Sequence, residues 1–176
     1  MGAAVSDRVA SGESAVSDRE AAGEIVSLLT ARGHSAAVAE SLTGGLLAAA
    51  LTGIPGASAA FRGAVVAYAT DVKAAILGVP RDLLERCGAV HPDVAAAMAA
   101  GVRRRMGATV GAATTGVAGP GTADGQPVGT VYIAVSSAPG TAVRSLTLHG
   151  SRDEIRQETV ARCLRLLLDI LREEKL

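Results

Sequence analysis

The sequence predicts an α/β protein, a three-layer α/β/α sandwich around a mixed, mostly parallel sheet. Three observations carry this prediction. Short runs rich in valine and alanine alternate with longer segments of helical period, the pattern of strands that feed crossover helices. Near the C-terminus two strand-like runs, residues 130–137 and 143–148, flank Pro139-Gly140, which makes them a hairpin and the sheet mixed. A turn dense in hydroxyls and glycines, Ala39-Glu40-Ser41-Leu42-Thr43-Gly44-Gly45, joins the first strand to the next helix. In open α/β sheets ligands gather beyond the carboxyl ends of the strands.

Residues 1–16 are small and polar and read as a flexible extension, with 17–176 as one domain. Within the extension Ala4-Val5-Ser6-Asp7-Arg8 recurs as Ala15-Val16-Ser17-Asp18-Arg19. Ser17 with Glu20 forms a capping box, and the helix behind it sets Ala21, Ile25, Leu28 and Leu29 on one face before Gly33 stops it. A strand at 35–40 follows, then a helix from Thr43 ended by Gly53-Ile54-Pro55-Gly56. Residues 60–69, with Phe61, Val65, Val66 and Tyr68, read as the second strand. Thr70 or Asp71 caps a short helix; Pro80 starts another through Cys87, and Pro92 a third through Arg105. A buried strand at 109–114 leads into a Gly/Pro-rich loop, 116–129, and the hairpin. Ser151 caps a last helix whose inner face holds Ile155, Val160, Cys163, Leu167 and Ile170.

Composition excludes several functions. The 176 residues carry equal numbers of basic and acidic side chains, 17 each, so no global field draws a polyanion. Phe61, Tyr68 and Tyr132 are the aromatic residues, too few for base-stacking platforms; no nucleic-acid partner is expected. Cys87 and Cys163 lack CxxC or His/Cys neighbours, so neither a metal site nor a disulfide is expected. The N-terminus has no signal-peptide core, and no apolar run approaches the ~20 residues of a membrane span. A cytoplasmic protein without a membrane partner is the expectation. The alanine-rich helix face at 94–100 offers a surface for a homo-oligomer.

The turns after the three parallel strands bring together Ser41 and Thr43; Tyr68, Thr70 and Lys73; and Thr114, Thr115 and Gly116. Serine with lysine makes a nucleophile and base, provided that burial or nearby positive charge lowers the lysine pKa from about 10.4. Backbone N–H groups near Thr43-Gly44-Gly45, or in the Gly116–Gly119 loop, are candidate oxyanion donors. Taken singly each residue has an ordinary alternative: Ser41 as an N-cap, Lys73 as a solvated surface cation, Tyr68 as a half-buried strand aromatic. Gly116-Val117-Ala118-Gly119-Pro120-Gly121 lacks the lysine and spacing of phosphate loops, which argues against a nucleoside-triphosphate hydrolase. His34, His91 and His149 are scattered, with His91 nearest the site, and Arg103-Arg104-Arg105 suits a helix C-terminus.

Ala39-Glu40-Ser41-x-Thr43-Gly44-Gly45, Tyr68-x-x-x-x-Lys73, Gly88-Ala89-Val90, Thr115-Gly116-x-Ala118-Gly119-Pro120 and Pro127-Val128-Gly129-Thr130 together resemble the competence-damage-inducible CinA C-terminal family. The resemblance runs from about Asp18 to the C-terminus and looks like the stand-alone form. Many members of that family are nicotinamide-nucleotide amidohydrolases. The resemblance therefore implies hydrolysis of nicotinamide mononucleotide to nicotinic acid mononucleotide and ammonia, in pyridine-nucleotide salvage, with no metal or redox cofactor. Ser41 matches the family's nucleophile, and Tyr68 and Lys73 its activating partners. Thr43 and Thr115 match pocket hydroxyls, and Gly44, Gly45 and Gly116 sit in the matched turns. Arg152 and Arg156 match the arginines of a Gly-Asp-Arg-x-x-Ile/Val-Arg segment, and Arg156 is the first choice for the substrate phosphate. This chain departs from the family pattern at Ala69-Thr70-Asp71, at His91 and at Ser151. The alternatives are a non-catalytic binding module tied to competence and recombination, and an amidase for a different amide.

Overall fold

A computed structural model describes residues 17–173; the expected extension at 1–16 lies outside them. The elements in chain order are α1 (Asp18–Ala31), β1 (Ala36–Glu40), α2 (Leu46–Thr52), a 3-10 turn (Ala57–Ala59), β2 (Phe61–Val66), α3 (Thr70–Leu77), α4 (Arg81–Cys87), α5 (Pro92–Arg105), β3 (Val110–Gly116), β4 (Thr130–Ser136), β5 (Thr141–Thr147) and α6 (Arg152–Arg172). The strands form one sheet in the order β2-β1-β3-β4-β5. β1 runs parallel to both β2 and β3, while β4 and β5 are antiparallel, so the sheet is mixed as expected. No helix among the described residues is long and apolar enough to cross a membrane.

β1 lies between β2 and β3 and is buried on both faces, which explains why Ala36-Ala37-Val38-Ala39 is apolar without alternating. Its side chains alternate between two cores. Ala36 and Val38 join α1, α2 and α6 through Ile25, Leu29, Leu47, Leu51, Leu164 and Leu167. Ala37 and Ala39 join α3, α4 and α5 through Leu77, Leu84, Val94, Met98 and Val102. Small side chains on β1 and β3 let these helices approach closely. The alanine-rich face at 94–100 is spent here: Val94, Ala95, Met98 and Ala99 are buried against the protein's own sheet.

The expected capping box of Ser17 with Glu20 forms, and Ser151 caps α6 as expected, with Glu154 completing a second box. Of the boundaries that differ from the sequence reading, three lie at the turns of the site. α2 starts at Leu46 rather than Thr43, because Gly44 and Gly45 adopt φ of 58° and 101°, outside the helical region. β2 ends at Val66, since after Ala67 donates to the Glu40 carbonyl at 2.8 Å the chain leaves the sheet. Ala69, not Thr70 or Asp71, is the N-cap of α3, so Thr70 is its first helical residue.

Close packing gives two helical glycines opposite roles. Around Gly23 in α1 there is open space, whereas a Cβ on Gly101 in α5 would drive into the Leu77 carbonyl oxygen. Gly23→Ala should therefore raise stability by about 0.5–1 kcal/mol. Gly101→Ala should lower it by about 2 kcal/mol, both read by urea unfolding. Equal gains at the two sites would refute this account of the α3–α5 packing.

Candidate active site

The site lies beyond the carboxyl ends of the three parallel strands. At the end of β1 the chain turns through Ser41-Leu42-Thr43-Gly44-Gly45 into α2. Glu40, fully buried, folds its carboxylate under this turn. Its Oε2 accepts the N–H groups of Gly45 at 3.0 Å and Leu47 at 3.1 Å, and its Oε1 that of Ala48 at 2.8 Å. A buried carboxylate is tolerated only with such partners, and here it closes the helix N-terminus. The chain thus supplies its own anion where the sequence suggested a place for a ligand's. Gly44 N–H is also taken, donating to the Ser41 carbonyl at 3.1 Å. The expected oxyanion donors at Gly44 and Gly45 are therefore occupied; the Leu42 and Thr43 amides have no acceptor among the described residues.

Ser41 caps no helix. Its Oγ lies 3.1 Å from Lys73 Nζ, and its N–H donates to the Thr114 carbonyl at 3.0 Å, which seats it against β3. Lys73 is no surface cation: it is 1% exposed and reaches inward from α3. Its Nζ also donates to the carbonyls of Ala67 at 2.7 Å and Tyr68 at 3.2 Å. Burial lowers its pKa from 10.5 to about 8, and the negative charge of Asp124 opposes part of that shift. A neutral amine has two N–H groups and one lone pair. The two carbonyls can take the first, leaving the lone pair for the Ser41 hydroxyl.

A cavity of about 230 Å³ opens over this pair, walled by Ser41, Tyr68, Lys73, Thr115, Asp124 and Arg152 among others. Tyr68, 60% exposed, stands at the mouth rather than half-buried in a strand. Its carbonyl touches Lys73; its hydroxyl instead accepts from Arg152 at 2.9 Å. Arg152 also donates to the Gly119 carbonyl at 2.5 Å, tying the loop after β3 to the loop after β2. On the opposite wall Thr115 Oγ1 donates to the Ala89 carbonyl at 2.7 Å, and Asp124 accepts the Ala89 N–H at 2.6 Å.

A family model described as the CinA C-terminal domain matches residues 18–171. The chain belongs to the CinA C-terminal domain family. It is 54% identical over 149 residues to a CinA-like protein of Frankia casuarinae, covering 85% of this chain and 34% of that protein. To a CinA-like protein of Desulfotalea psychrophila it is 46% identical over 152 residues, covering 85% and 37%. The chain thus spans about a third of the length of these curated relatives. Among solved structures, a competence/damage inducible protein from Agrobacterium tumefaciens is 37% identical with a TM-score of 0.84, covering 87% of this chain and 94% of that one. A CinA superfamily protein from Escherichia coli is 30% identical with a TM-score of 0.86, covering 93% and 95%.

On this CinA-family fold the residues singled out from sequence separate into two groups. Ser41, Tyr68, Lys73, Thr115, Gly116 and Arg152 line the cavity. Thr43, Gly44, Gly45 and Arg156 stand behind its wall. Thr43 and Thr114 share a buried hydroxyl–hydroxyl hydrogen bond of 2.8 Å. Arg156, preferred from sequence for a phosphate, instead donates to the carbonyls of Leu42 at 3.0 Å and Thr43 at 3.2 Å. His91 caps α5 by accepting the Asp93 N–H. Two functional positions were missed, Glu40 and Asp124. An acid ending a wholly apolar strand just before a helix was a usable signal for Glu40. For Asp124, in a loop 35 residues from Ala89, no local pattern exists.

The lowered Lys73 pKa has a definite stability consequence. Between about pH 8 and 10.5 the unfolded chain holds the proton more tightly than the folded one, so stability rises with pH there. Relative to a Lys73→Met variant, the wild type should gain about 2 kcal/mol between pH 7 and pH 9.5 in urea unfolding. A constant difference would mean that the buried amine titrates normally.

Proposed function

We propose that the protein is a serine amidohydrolase that converts nicotinamide mononucleotide to nicotinic acid mononucleotide and ammonia. The observation that carries this reading is the buried Lys73 amine, its pKa lowered to about 8, set 3.1 Å from Ser41 Oγ on a cavity wall. Between pH 7 and 8 about a tenth to a half of such an amine is neutral, which suits a general base.

Lys73 Nζ takes the Ser41 proton as Oγ bonds to the carboxamide carbon. The carbonyl oxygen becomes an oxyanion. The C–N bond then breaks, and the lysine ammonium returns the proton to the departing nitrogen, so ammonia leaves an acyl ester on Ser41. Water, deprotonated by the same amine, attacks this ester; the acid departs and Ser41 regains its proton. A cavity of about 230 Å³ accommodates a planar carboxamide ring, with the rest of a nucleotide at the mouth. There Arg152 is the cationic wall residue, placed to meet a phosphate.

Purified protein should release ammonia from nicotinamide mononucleotide, with kcat/KM rising as pH increases through about 8, where Lys73 loses its proton. Ser41→Ala should abolish the activity. A fully active Ser41→Ala variant, or no release across a panel of related amides, would sink this reading. Arg152→Ala should raise KM for the nucleotide at least about tenfold and change kcat less, because a phosphate contact is equally strong before and during reaction. A fall in kcat at unchanged KM would remove Arg152 from phosphate binding.

A further inference from the structure

Arg156 reaches from the second turn of α6 to the back of the Ser41 turn, where two of its three nitrogens donate to backbone carbonyls. Nε donates to the Leu42 carbonyl at 3.0 Å, NH2 to the Thr43 carbonyl at 3.2 Å, and NH1 pairs with Asp153 at 3.2 Å. Glycine at 44 answers to its φ of 58°; a Cβ there would only touch the guanidinium, 3.4 Å from NH2. A trans peptide is planar, with its carbonyl and its N–H on opposite sides. Holding the Leu42 carbonyl therefore turns the Thr43 N–H away from Arg156. The Ser41 carbonyl is held in the same way by Gly44 N–H at 3.1 Å, which fixes the opposite direction for the Leu42 N–H.

These two amides have no acceptor among the described residues, although Leu42 and Thr43 are buried. An unpartnered buried amide costs about 1–3 kcal/mol, so donors left open beside a nucleophile are poised for an acceptor that forms during reaction. The α2 amides cannot serve, because Glu40 already occupies them.

We propose that Arg156 is a positioning residue. Its fork locks the Leu42–Thr43 and Thr43–Gly44 peptide planes; the first aims the Thr43 N–H, and the second seats the Gly44 N–H on the Ser41 carbonyl and so aims the Leu42 N–H, and both meet the oxyanion formed as Ser41 is acylated. This rests on the acyl-enzyme reading above and reverses the phosphate-clamp role that the sequence pattern suggested for Arg156. Lysine is a poor substitute, because its donors radiate from one atom and lack the fixed planar fork that sets both carbonyl directions.

The test uses an acyl donor without a phosphate, p-nitrophenyl acetate, following the p-nitrophenolate burst and locating the acetyl group by mass spectrometry. Arg156→Ala and Arg156→Lys should slow Ser41 acetylation by about 10- to 100-fold without raising the half-saturating probe concentration. Added guanidinium ion should restore part of the Arg156→Ala rate. Arg162→Ala, farther along the same helix, should match the wild type. Melting curves identify folded variants, and Arg156→Lys, which keeps the charge beside Asp153, serves where Arg156→Ala does not fold. An unchanged burst in the Arg156 variants, with a raised KM for nicotinamide mononucleotide, would overturn the proposal in favour of a phosphate clamp. A wild-type protein with no burst, or a Ser41→Ala variant that keeps it, would instead overturn the acyl-enzyme itself.

Discussion

The buried carboxylate of Glu40 is the constraint on which the site depends. It ends β1, the middle one of the three parallel strands, at the point where they deliver their turns, and it must be satisfied there without water. Three amides of the α2 N-terminus do this. Their arrangement forces the preceding residues, 41–45, into a tight turn that the left-handed glycines at 44 and 45 permit. Ser41 is thereby set at the cavity wall instead of being drawn into a helix. The same burial isolates Cys163, whose thiol is pushed up to about 12 by burial and, less strongly, by the charge of Glu40. That thiol is consequently packing material and not a nucleophile.

A second buried charge-bearing group faces the first from the other side of the sheet. Lys73 is held by two carbonyls that lie where β2 hands over to α3, so its position follows from where that strand stops. Burial at this spot costs stability whenever the amine is protonated, and the cost is what brings its pKa within reach of neutral pH. Asp124 moderates the effect from the loop after β3 while anchoring Ala89. The amine is thus tuned by burial and one distant charge together.

Much of the fold was legible in the sequence because its signals are local. The Ser17 capping box, the Ser151 cap, the Pro80 and Pro92 helix starts and the Pro139-Gly140 hairpin each rest on residues within a few positions of one another. The onset of α2 was misplaced for a reason of the same kind in reverse. A carboxylate five to eight residues upstream, and not the hydroxyl of Thr43, caps that helix. The partners of Arg156 were not legible, because an arginine side chain is long enough to choose among groups more than a hundred residues away, and here it chose carbonyls.

By itself the sequence determined the α/β class, the mixed sheet and the motif set that marks the CinA family, since periodicity, capping and turn chemistry act over short spans. It also singled out Ser41 and Lys73 as residues worth joining. Only the tertiary structure decided that Lys73 is buried at hydrogen-bonding distance from Ser41, that Arg152 and not Arg156 stands on the cavity wall, and that Glu40 claims the helix amides. Desolvation and competition among hydrogen-bond partners settle such questions, and both depend on what the rest of the chain packs around each group.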